Sequence, residues 1–202
     1  MRLPYADVIR NYSDMYEMLL RPNGSPKSMG EIWIDRDNGL VKKYFKPDSI
    51  TIQGKTPWTS DIDEIRKCFE REIYWTNRLR SDLLLETYEH GDLPDGTGYY
   101  LIQEYGGPDL SYSYDPEHRL SHIIPDITHQ IVEMFKLFKH HNMHKTNNAM
   151  SNLVAVNGRL KVFDFKYAQR RTAMSRMREF RSINEWLSKI DTNLPYLLEE
   201  YI

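Results

Sequence analysis

Residues 130–154 read QIVEMFKLFKHHNMHKTNNAMSNLV: a helix, a loop and the start of a strand. Ile127, Ile131, Met134 and Phe138 recur at helical spacing, which predicts a helix over 123–141. The loop that follows carries Asn152, and a strand begins at Leu153. Asn157-Gly158 is a two-residue hairpin signal, because both residue types tolerate the positive φ of a tight turn. The returning strand runs into residues 161–168, KVFDFKYA, and leaves Asp164 at its end.

Upstream the period changes from helical to alternating. A strand is predicted over 31–35, a turn at Asp37-Asn38-Gly39, and a returning strand over 40–45 that Pro47 ends. Ser60 is expected to cap a helix, with Asp61, Asp63 and Glu64 at the positive end of its dipole. Ile62, Ile65, Phe69 and Ile73 share one face of that helix. Further strands are expected over 83–88 and 99–104, separated by a turn at Asp95-Gly96. Gly106-Gly107-Pro108 breaks the chain, and residues 111–120 read as a connection. Residues 173–190 are predicted helical, and 194–201 form a last short helix. Met134, Phe135, Phe138 and Trp186 read as core. The order implies an α+β chain in two lobes. Residues 1–105 would hold a small antiparallel sheet and one helix. Residues 106–202 would be mostly helical with one β-hairpin.

Composition narrows the class. The chain has 202 residues, 40% of them hydrophobic and 12% aromatic, enough for a packed core. Its formal net charge of -2 gives no reason to expect nucleic acid or an anionic membrane as partner. No stretch approaches the roughly 18 apolar residues of a membrane span. The N-terminal residues are interrupted by charge and lack the apolar run of a signal peptide. The single cysteine, Cys68, excludes an intrachain disulfide and fits a reducing compartment, so a cytoplasmic protein is expected. His140, His141 and His144 sit where a helix ends and read as solvated groups at its negative pole rather than as metal ligands.

Taken together, these segments resemble the protein-kinase-like fold from about Gly24 to about Ala168. GLVKKYFKP (39–47) looks like the strand that carries the family's phosphate-binding lysine. The resemblance implies that role for Lys42, with Lys43 as the alternative because strand register is ambiguous by one residue. FEREIYW (69–75) looks like the regulatory helix, which implies that Glu72 is the lysine's ion-pair partner. YYLIQEYGGPDL (99–110) is similar to the segment facing the adenine, with Gln103 as gatekeeper and Glu104 and Tyr105 in the hinge. SMGEIWI (28–34) resembles the end of the phosphate loop and includes Gly30. VFDFKYA stands where the family has its metal-binding Asp-Phe-Gly, so Asn152 and Asp164 are the implied ligands of Mg²⁺, a hard cation that takes oxygen donors. ATP and Mg²⁺ are the cofactors such a site would take.

The chain departs from the family in ways that touch the chemistry. Lys145-Thr146-Asn147 replaces His-Arg-Asp, which puts Asn147 at the position of the catalytic base. An amide does not usefully accept a hydroxyl proton. Ala149 replaces the polar residue that would touch the γ-phosphate. The phosphate loop is poor in glycine and contains Pro26, which has no N–H to donate. No long activation segment and no Ala-Pro-Glu signal follow Lys166, so the second lobe is truncated. The expected function is a pseudokinase that acts by binding a protein partner, with nucleotide occupancy open. The alternatives are an active atypical phosphotransferase and a nucleotide-free interaction or inhibitor domain. The basic segment 166–181, which includes Lys166, Arg170, Arg171, Arg176, Arg178 and Arg181, reads as a solvated face or as a surface for an acidic partner.

Overall fold

The turn at residues 36–39 is tied by Asp35, whose carboxylate oxygens accept from the Asn38 backbone N–H at 3.0 Å and from its side-chain amide at 2.7 Å. Gly39 takes the positive φ, 66°, that closes the loop. In the computed structural model this hairpin joins β2 (Ile32–Asp35) to β3 (Leu40–Phe45). The structure describes residues 17–18, 32–47, 61–113, 120–145, 150–175, 187–188, 190–198 and 201. These residues make an α+β chain with a small antiparallel sheet and few helices. They fall into two compact units: Met1–Arg66 with Thr87–Tyr105, and Lys67–Glu86 with Gly106–Ile202.

The first unit is built on a five-stranded sheet. Besides β2 and β3 it contains β1 (Glu17–Met18), β4 (Thr87–Asp92) and β5 (Tyr99–Glu104), in the order β1-β2-β3-β5-β4. Each neighbouring pair is antiparallel. The strand expected over 83–88 begins instead at Thr87, because Leu84 and Leu85 are buried and the chain at Leu84 bridges to Val162 in the second unit's own residues. A bulge between Thr87 and Glu89 shifts the β4–β5 register.

Across that pair, the Tyr100 hydroxyl donates to a Glu89 carboxylate oxygen. This hydrogen bond, with burial and the glutamate's charge behind it, pushes the phenol pKa from 10.0 up to about 12. The protonated phenol is the form the fold favours. Its contribution to stability is therefore complete below pH 10 and lost as pH rises toward 12. A tyrosinate absorbance titration of the wild type minus Tyr100→Phe should show the missing equivalent ionising near pH 12 rather than near 10.

Asp61 caps the helix that follows. Its Oδ1 accepts from the N–H groups of Asp63 at 2.9 Å and Glu64 at 3.4 Å; Ser60 lies outside the described residues. α1 runs over Ile62–Leu79. Its buried stripe is Ile65, Cys68, Phe69, Glu72, Trp75 and Leu79. Ile62, expected on this face, is 38% exposed because the stripe lies one position round the helix. A glutamate in the middle of an apolar stripe is costly unless something answers its charge.

The core of the second unit gathers Trp75 and Leu79 with Ile131, Met134, Phe135 and Phe138 of α3, and with Phe165, Leu187 and Leu194. The short α2 covers Leu110–Ser113, and α3 covers Ile127–His140. The sequence predicts α3 from residue 123. Pro125 is the reason for the later start: its ring disfavours a helical Ile124. Asp126 then adopts a left-handed φ of 52° before the helix begins. Residues 120–124 are a separate turn, with the Ile124 N–H on the Leu120 carbonyl. The helix expected over 173–190 lies largely outside the described residues, as does Trp186. A four-residue helix, α4 (Leu194–Leu197), represents the last predicted one.

Two short ladders complete this unit. β6 (Met143–His144) pairs antiparallel with β9 (Gln169–Arg170). β7 (Leu153–Val156) pairs with β8 (Arg159–Val162). Asn157 and Gly158 both have positive φ, 52° and 74°, as the sequence predicts for this turn. Gly106 has room for no side chain: a Cβ there would lie 2.4 Å from Val154 Cγ2. Among the described residues, no helix is long and apolar enough to cross a membrane.

Candidate functional site

The β7–β8 hairpin brings Asn152 and Asp164 to one end. A 3-10 turn, Met150–Asn152, delivers the chain into β7. The register Leu153↔Val162 puts the residues just outside the strands side by side, and the Phe163 N–H donates to the Asn152 carbonyl at 3.2 Å. Asn152 is buried. Asp164 has φ 66°, a left-handed conformation that aspartate tolerates better than most residues. Asn147 and Ala149 lie in residues 146–149, outside the described residues, as does Gly30.

Asp164 is held from two directions. The buried Lys145 ammonium donates to its carbonyl at 2.8 Å and lies 5.5 Å from the centroid of the Phe165 ring. The Lys166 ammonium lies 2.7 Å from each carboxylate oxygen. This is no surface ion pair, since the two side chains are 9% and 13% exposed. The residues around it are fixed by α1. Arg71 donates to the Lys166 carbonyl at 2.9 Å, and the Trp75 indole N–H to the Ala168 carbonyl at 3.1 Å. The Ala168 N–H on the Phe165 carbonyl closes the turn.

Mg²⁺ would require the Asp164 carboxylate, the one anionic donor that the resemblance assigns to it. Both oxygens already accept from Lys166, so this arrangement does not fit a divalent cation on Asp164. Sequence reading missed Lys145 and Lys166 as members of this site. The signal was present in Lys166: a lysine where the resembling family has the glycine of its Asp-Phe-Gly. Reading 166–181 as one solvated or partner-facing basic run concealed it. The structure turns Lys166 inward, and Arg171 donates to the Tyr201 carbonyl at 2.8 Å. Of the remaining arginines, Arg170 is exposed, and Arg176, Arg178 and Arg181 lie outside the described residues.

Glu72 is fully buried on α1. In the first unit, strand parity separates the two lysines of β3. Lys43 is 8% exposed and shares its face with Phe45. Lys42 points to the opposite face, its ammonium over the rings of Tyr44 and Tyr100 at 5.2 and 5.3 Å. Gln103 is buried and donates to the Thr87 hydroxyl at 3.3 Å. Glu104 is half-buried at the end of β5. The Tyr105 hydroxyl accepts from Arg36 at 3.0 Å, and its backbone N–H donates to the Gly39 carbonyl at 2.8 Å.

The histidines do not form a metal centre among the described residues. His144 is buried, with its Nδ1 3.5 Å from the Gln169 amide. His140 and His141 stack edge to face beside Arg78 and Arg80 in an open depression at the ends of α1 and α3. Burial, and after it the charges of His140 and Arg78, hold the His141 pKa below 6.5. The Arg78 guanidinium, in the last turn of α1, matches the negative pole of that helix. The chain matches no protein-family model and no curated protein sequence.

Proposed function

We propose that the chain is a kinase-like pseudokinase: it binds a nucleotide, does not transfer its phosphate, and works by binding a protein partner. The reading rests on one juxtaposition. At the open end of the β7–β8 hairpin Asn152 lies opposite Phe163, whose N–H donates to its carbonyl, and Asp164 follows Phe163, in the order and context that the kinase resemblance implies. Between the helix and Asn152, that resemblance assigns the base position to Asn147. Loss of a general base lowers a rate by roughly 10²–10⁴-fold. Positioning alone then leaves little turnover.

Of the two candidate lysines, Lys43 is the better phosphate ligand. Lys43 is buried on the Phe45 face of β3, whereas the Lys42 ammonium rests on the rings of the half-buried Tyr44 and Tyr100. Thermal unfolding with ATP or ADP, each in EDTA and in Mg²⁺, tests the reading alongside a phosphate-transfer assay. Saturating nucleotide should raise the unfolding temperature, by an amount equivalent to about 2.7 kcal/mol at roughly 100 times Kd. The rise should vanish in Lys43→Ala and persist in Lys42→Ala, with transfer at background. Turnover that Asp164→Ala abolishes would instead establish an active phosphotransferase. A flat titration under all conditions would favour a nucleotide-free interaction domain, a reading to which the occupied Asp164 carboxylate also lends support.

A further inference from the structure

We infer that Lys166 is a built-in cation standing in for a divalent metal on Asp164, so that the phosphate ligand of this site binds without metal. The inference rests on the nucleotide reading for its ligand, but on geometry for its cation. An ammonium has three N–H donors. The two Asp164 oxygens, each 2.7 Å from Nζ, engage two of them; the ammonium also lies 5.6 Å from the Tyr167 ring centroid, and the remaining N–H is the one an anionic oxygen would take. The left-handed φ of Asp164 lets a carboxylate meet a side chain only two residues on.

Lys166 is not free to leave this position at little cost. It is 7% exposed as a residue, and its backbone carbonyl is held by Arg71. The Lys145 ammonium, on the Asp164 carbonyl, places a second positive charge beside the same residue. A dication arriving at Asp164 would have to displace a buried lysine from its counter-ion and then sit beside two ammonium groups. Coulomb repulsion at such distances, under low solvent screening, opposes it. The cationic work that Mg²⁺ performs on a phosphate is thereby assigned to an amine that is part of the chain.

The experiment uses the full chain in two arms. In the first, Mn²⁺ alone is titrated and followed by electron paramagnetic resonance. The wild type should bind no Mn²⁺ through Asp164. Lys166→Ala should gain one Mn²⁺ site, and the double variant Lys166→Ala/Asp164→Asn should lose it. In the second arm, ATP affinity is measured in EDTA and in Mg²⁺. The wild type should differ between the two by less than about tenfold, and Lys166→Ala should bind at least about tenfold tighter with Mg²⁺. Lys166→Gln, which keeps a hydrogen bond to Asp164 and removes the charge, serves if the alanine variant does not fold by circular dichroism. Wild-type Mn²⁺ binding that Asp164→Asn removes would overturn the inference. So would a folded Lys166 variant that gains no site. If Mn²⁺ behaves as expected but ATP binds to neither protein, the nucleotide reading fails while Lys166 keeps its role as the cation on Asp164.

Discussion

Phe138→Ala is expected to destabilise the protein by about 3–5 kcal/mol, as measured by urea unfolding. Phe138 is fully buried. Its ring meets Phe135 edge to face at 5.8 Å and Phe165 at 6.5 Å. Truncation removes both contacts and leaves a cavity between a helix and the turn after β8, where the backbone is already fixed by hydrogen bonds and has little freedom to collapse. Set against a typical total of about 5–15 kcal/mol, this is a large fraction of the stability. Phe138→Leu, which keeps most of the volume, should lose much less. Because Phe165 lies between Asp164 and Lys166 in sequence, the alanine variant should also loosen the ion pair, visible as faster amide exchange at residues 164–168.

The second large effect is expected at the ion pair. Asp164→Asn preserves the shape and suits the left-handed φ, yet leaves the Lys166 ammonium buried without its counter-ion. Breaking one side of such a pair is expected to cost about 3–5 kcal/mol. Lys166→Met strands the carboxylate in the same way. The double variant Asp164→Asn/Lys166→Met should recover most of the loss, because a neutral pair has no charge to desolvate. Urea unfolding of all four proteins forms a double-mutant cycle, and a coupling well above about 0.5 kcal/mol shows that the two residues act together. Additive losses would mean that each side chain is held by other groups.

How much of the fold is legible in the sequence follows from the range of the interactions. The β2–β3 and β7–β8 hairpins rest on turn chemistry within a few residues, and both form where Asn-Gly pairs signal them. The apolar stripe of α3 is likewise local, and Ile127, Ile131, Met134 and Phe138 are all buried together. The sequence pattern starts α3 too early because its apolar residues continue through Ile123 and Ile124, whereas Pro125 interrupts the backbone. Ser60 and Asp61 are both acceptable caps by residue type, and the hydrogen bonds to Asp63 and Glu64 give Asp61 that role. In the candidate site, the sequence places Asn152 before one strand and Asp164 after the next, and the β7–β8 ladder forms between them.

By itself the sequence determined the alternating and helical periods, the turns, and the absence of an acidic residue at Asn147. These depend on residue type and near neighbours. Only the tertiary structure decided which β3 lysine is buried, that Glu72 occupies the middle of an apolar stripe, and that Lys166 closes on Asp164 instead of joining a solvated basic run. The physical reason is common to all three. A charged side chain reads the same in sequence whether water or protein surrounds it. Its meaning changes only when packing removes the water, and for Lys166 leaves the Asp164 carboxylate within reach.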